Sequence, residues 1–131
     1  YELSGGMKQR CALARLMAGD PSILLMDEPL ASVDAQTRLI LQNEILQIWG
    51  EERSAATRKT VIFVTHSIDE AVFLSDRIAV MTARPGQVKD IAVNPLPRPR
   101  EDRLRGEARF SKLMMEIWDL VRDAALKAIE T

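Results

Sequence analysis

Four apolar residues, Ile23-Leu24-Leu25-Met26, run without interruption into Asp27-Glu28-Pro29. A run this short, bounded by turn residues, reads as a strand, here 22–26. Its unbroken apolar character predicts a parallel sheet covered on both faces. Such a strand is clamped in the sheet, so two carboxylates placed at its end project rigidly from the C-terminal edge. In open α/β sheets that edge is where ligands bind.

The flanking sequence supplies helices and more strands. Ser4 is a good N-cap for a helix over 6–18, with Met7, Cys11, Ala14, Met17 and Ala18 expected on one face. Gly19 followed by Asp20-Pro21 stops it. Asp34 can cap a second helix over 35–49, whose apolar side would hold Leu39, Leu41, Ile45, Leu46, Ile48 and Trp49. A β-branched strand over 60–65, a short helix over 68–74 and a strand over 77–83 follow. The alternation predicts an α/β fold with a parallel sheet and flanking helices. Arg84-Pro85-Gly86-Gln87 is a turn, after which 88–93 can return antiparallel. Pro95, Pro97 and Pro99 make 94–100 an extended connector. The stretch 110–129 has helical spacing throughout, so the chain divides into a domain over 1–94 and a connector with a C-terminal helix over 95–131. There is no internal repeat.

Composition narrows the function classes. Lys and Arg total 18 against 19 Asp and Glu, a net charge of −1, so no basic field argues for nucleic acid as a partner. The single Cys11 cannot form an internal disulfide, which fits a reducing compartment. Apolar runs at 23–26, 61–64 and 78–81 fall far short of the roughly 20 residues that a spanning helix needs. Any membrane role would therefore come through a partner. The chain starts on Tyr1 with no signal-peptide pattern, and is expected to be cut from something longer. Arg98, Arg100, Arg103, Arg105 and Arg109 alternate with Glu101, Asp102 and Glu107, which predicts a solvated face, with a phosphate or lipid contact as the alternative. The Met114, Met115 and Trp118 stripe predicts packing surface.

Three places carry chemistry. Asp27 and Glu28 form the carboxylate pair. Ser4-Gly5-Gly6 at a helix start offers unpaired backbone N–H groups, a favourable dipole and close approach for a phosphate. His66, the only histidine, follows the strand over 60–65. If that strand runs parallel to the Asp27 strand, both residues reach one edge. Asp34 has its own role as a helix cap.

In this order and spacing, Leu3-Ser4-Gly5-Gly6-Met7-Lys8-Gln9-Arg10 and Ile23-Leu24-Leu25-Met26-Asp27-Glu28-Pro29 closely resemble the signature and Walker B motifs of ABC-type ATPases. Ala31-Ser32-Val33-Asp34 matches the D-loop position, and Thr65-His66-Ser67 the switch-histidine position. Trp49, Asp69-Glu70-Ala71 and Arg84-Pro85-Gly86 are similar to the nitrate/sulfonate/taurine importer branch. Val33 stands where that branch usually has Leu, which preserves an apolar contact. No G-x-x-x-x-G-K-[ST] phosphate loop occurs in the chain. The resemblance implies the C-terminal part of a P-loop NTPase fold of the ABC type, with its sheet, flanking helices and a C-terminal helix.

What the resemblance implies for function is specific. Asp27 would hold Mg²⁺ through water, which suits an ion that keeps several waters and uses one or two carboxylates. Glu28 would polarise the attacking water, and His66 would contact the γ-phosphate. Ser4, Gly5, Gly6, Gln9 and Asp34 would face ATP held by an opposing subunit. The protein would be the ATPase of an importer, peripheral on the cytoplasmic face of the inner membrane. Its partners would be a second ATP-binding subunit, a transmembrane permease and, indirectly, a solute-binding protein. The alternatives are a soluble ABC ATPase of DNA repair or translation, and a truncated, non-catalytic interaction module. Without a phosphate loop, the 131-residue chain alone is expected neither to bind nor to hydrolyse ATP.

Overall fold

A computed structural model describes residues 5–51 and 53–130, so Ser4, a candidate nucleotide contact and helix cap, lies outside the described residues. The chain forms two compact units, residues 1–66 and 67–131.

In the first unit, helix α1 (Gly5–Ala18) precedes strand β1 (Ile23–Asp27), helix α2 (Ala35–Trp49) and strand β2 (Thr60–Val64). β1 and β2 pair in parallel, from Ile23 opposite Thr60 to Asp27 opposite Val64. The expected parallel pairing is therefore present, with α2 as the crossover. α2 starts where its cap predicts, since the Asp34 side chain accepts from the backbone N–H of Thr37. It ends because Gly50 turns left-handed at φ 95°, its N–H bonding the carbonyls of Leu46 and Gln47. The Lys59 ammonium, almost fully buried, ties the α1–β1 turn to β2 through 2.7 Å bonds to Asp20 and the Pro21 carbonyl. The core comprises Leu13, Leu24, Met26, Leu30, Val33, Leu41, Ile45 and Leu46.

Two expectations need correction in this unit. β1 buries only Leu24 and Met26, while Ile23 and Leu25 (71% exposed) share the open face of the sheet with Ile62 and Val64. An apolar residue at every position had implied cover on both faces; among the described residues one face has none. In α1 the inward residues are Gly6, Gln9, Leu13, Leu16 and Met17, and the expected face with Met7, Cys11 and Ala14 is exposed. Gly6, which has no side chain, lies against Thr37 of α2.

In the second unit, helix α3 (Ile68–Leu74) leads to strands β3 (Arg77–Met81) and β4 (Val88–Val93), then a 3₁₀ turn (Asp102–Gly106) and helix α4 (Ala108–Glu130). β3 and β4 pair antiparallel with an irregularity at Val80/Met81, as the turn chemistry predicts for β4. Among the described residues each unit holds one two-stranded sheet. The core is Val72, Phe73, Ile78, Val80, Leu96, Leu104, Phe110, Leu113, Ile117 and Ala124. Met115 and Trp118, expected as packing surface, are about half exposed.

The arginine run is not uniformly solvated either. Arg100 is 4% exposed, and its guanidinium donates to the carbonyls of Val72, Phe73, Ser75, Leu96 and Pro97. Asn94 Nδ2 shares the Val72 and Ser75 carbonyls, and Arg98 takes that of Leu74 at 2.8 Å. The carbonyls of Val72, Phe73 and Leu74 are the last of α3 and lack intrahelical partners, and that of Ser75 follows directly. The proline-rich connector thus caps α3, a favourable place for cations. Arg105 lies over the Phe73 ring at 3.6 Å.

Candidate functional site

The C-terminal edge of the first sheet gathers three of the candidate residues. Asp27 is the last residue of β1 and is exposed. Glu28 leaves the sheet, but its N–H still bonds the Val64 carbonyl of β2 at 2.8 Å. Its φ is +46°, a left-handed conformation uncommon for a non-glycine residue, and Pro29 follows it. Residues before proline favour extended backbone, so this local sequence alone would not choose that turn. The turn is held from both sides: Leu30 and Val33 are buried anchors, and the N–H of Ala31 bonds the Glu28 carbonyl.

This turn points the Glu28 carboxylate across to the neighbouring strand. Its Oε1 lies 2.7 Å from His66 Nε2, with Glu28 35% exposed and His66 94% exposed. Oε1 itself is buried, and the contact is not aligned as a full hydrogen bond. A carboxylate oxygen without an aligned donor retains accepting capacity for a polar group or water. The imidazole is open to solvent on its other sides. The pair can therefore hold and orient a polar ligand at the sheet edge.

A second grouping lies at the start of α1. A Cβ at Gly5 would come 3.7 Å from the Ser32 carbonyl, and one at Gly6 would meet Thr37 Cγ2 at 2.5 Å. The glycine pair is thus packed against the 31–34 loop and the first turn of α2. In that turn the N–H of Thr37 donates to Asp34 Oδ1 at 3.0 Å, and its hydroxyl to Oδ2 at 2.9 Å. These bonds hold the Asp34 carboxyl below the usual Asp range, the backbone bond from Thr37 being the largest cause. Arg38 Nη2 holds the Val33 carbonyl at 3.2 Å. Gln9 is half-buried along α1.

The structure brings Glu28 to His66 directly and Gly6 to Asp34 through Thr37. Thr37 was not foreseen; the signal was its place three residues after the capping Asp34, where a side chain can return the cap's hydrogen bonds. Among the described residues no three His, Cys, Asp or Glu side chains are grouped as a metal cluster would need.

A parallel strand pair with flanking helices, carrying the carboxylates and the histidine at one edge, is consistent with a fragment of an ABC ATPase fold. The ABC transporter family profile matches residues 1–31. An uncharacterized ABC transporter ATP-binding protein of Methanocaldococcus jannaschii is 53% identical over 130 residues, covering 99% of this chain and 46% of that protein. The aliphatic sulfonates import ATP-binding protein of Bacillus cereus is 50% identical over 99 residues, 76% of this chain and 38% of that one. The chain is a relative of ABC transporter ATP-binding proteins, and spans less than half the length of these curated relatives.

Proposed function

We propose that this chain is part of the ATP-hydrolysing subunit of an ABC importer, with a solute of the nitrate, sulfonate or taurine type. The observation that carries the reading is the 2.7 Å approach of Glu28 Oε1 to His66 Nε2 at the C-terminal edge of two parallel strands. Its likeness to an aliphatic sulfonates import protein supports the solute class.

Glu28 would accept a hydrogen bond from the attacking water and orient it, since phosphoryl transfer depends mainly on positioning and charge stabilisation. His66, whose ring stands beside Glu28 and is otherwise open to solvent, would contact a terminal phosphate oxygen through a hydrogen bond. Asp27 would hold a hydrated Mg²⁺: one exposed carboxylate at the end of β1 suits an ion that keeps most of its own waters. Bound there, Mg²⁺ would neutralise phosphate charge. Gly5, Gly6, Gln9 and Asp34, with Ser4 before them, would face the ATP of a second, identical subunit. A permease would receive the motion, with a solute-binding protein upstream, and the subunit would sit peripherally on the cytoplasmic face of the membrane. Among the described residues no helix is long and apolar enough to cross it.

The test is a chimera in which this chain replaces the aligned segment of the Methanocaldococcus protein. Glu28→Gln keeps side-chain shape and removes the charge, so phosphate release should fall at least 100-fold while an ATP-bound dimer accumulates on size exclusion. Release near that of the unsubstituted chimera removes Glu28 from the role. The 131-residue chain by itself should give no binding heat with Mg-ATP.

A further inference from the structure

Thr37 touches both halves of the second grouping. Its Cγ2 occupies the space that a Cβ at Gly6 would need, at 2.5 Å. Its hydroxyl and N–H both hold the Asp34 carboxylate. A β-branched side chain has a single stiff torsion, about which methyl and hydroxyl turn together. Any displacement of Cγ2 away from α1 therefore swings Oγ1 off Asp34. The loop on the other side of Asp34 is tied to the same helical turn by Arg38, through the Val33 carbonyl.

We propose that Thr37 is a positioning residue that couples the glycine start of α1 to the Asp34 carboxylate, so that a displacement at Gly6 is transmitted to Asp34 and the reverse. Its functional meaning rests on reading Gly5, Gly6 and Asp34 as one nucleotide-facing surface. The coupling itself is a property of this chain and is measured without nucleotide, so either idea can fail while the other stands.

The experiment titrates the Asp34 carboxyl carbon by NMR in the nucleotide-free chimera, with amide exchange at Thr37 as a second readout. Gly6→Ala should raise the Asp34 midpoint toward the ordinary carboxylate range and speed Thr37 amide exchange roughly two- to tenfold, the loss of about one hydrogen bond. Adding Thr37→Ser removes the methyl, keeps the hydroxyl and should restore both values. A helix cap with no link to α1 would not respond to position 6. An unmoved midpoint in Gly6→Ala, or a double variant that fails to recover, overturns the proposal. Should Gly6→Ala not fold, Thr37→Ser alone should move the amide resonances of Gly5 and Gly6 while keeping the Asp34 midpoint; unmoved glycine amides overturn it equally.

Discussion

Arg100 carries a charge it cannot lose and five N–H donors in a fixed fork. Its burial is tolerable because each donor meets a carbonyl, three of them (Val72, Phe73 and Ser75) at the C-terminal end of α3. Arg100→Met fills much of the volume but leaves several buried carbonyls without a partner. Each such orphan costs roughly 1–3 kcal/mol; part of α3 is also held by Asn94, so a total loss of about 3 kcal/mol is expected. Chemical denaturation measures it, and a midpoint equal to wild type refutes it. Arg100→Lys should recover only a fraction, because one ammonium cannot span five carbonyls. Alternation of Arg with Glu gave no hint of this burial. Partners as distant in sequence as Val72 and Phe73 leave no trace in a local charge pattern.

α2 is the element most legible in sequence, and its N-terminus makes a pH prediction. Thr37 holds Asp34 below its ordinary range in the folded chain. A lowered folded value means the unfolded chain takes up the proton first on acidification. The cap's contribution is therefore complete above the ordinary Asp range near 4, and is lost as pH falls through the lowered folded value. Asp34→Asn also caps but does not titrate. The stability difference between wild type and this variant, followed by urea unfolding, should shift against wild type below about pH 4. A difference constant with pH refutes the prediction. The bounds of α2 were readable because Asp34 and Gly50 act on their own neighbours. The inward face of α1 was not: it includes Gly6, which lies against Thr37, 31 residues away in sequence. That Asp27 and His66 reach one sheet edge was readable from two parallel strands ending together; the left-handed turn that aims Glu28 at His66 was not, because Pro29 argues locally for the opposite.

Considered as a whole, the molecule has two units, each with an apolar sheet face open to water. Ile23, Leu25, Ile62 and Val64 form one, and Met81, Val88, Ile91 and Val93 the other. Contiguous exposed apolar surface on this scale drives association. The isolated chain should self-associate, with sedimentation velocity showing species above monomer at tens of micromolar. Ile62→Lys places a charge on the open face of β2, an edge device against pairing, and should shift the population toward monomer without lowering the unfolding midpoint. Monomer in the unsubstituted chain sinks the prediction.

The left-handed backbone at Glu28 has a consequence for which sequences position 28 would accept. Glycine fits φ +46° without strain, asparagine and aspartate tolerate it, and β-branched residues resist it. A saturation library at this position, sorted only for folded protein, should fill with glycine and asparagine. The same library sorted for ATP turnover in the chimera should return to glutamate. Two sorts that converge on one residue would mean that the turn, and not the carboxylate, dictates what stands there.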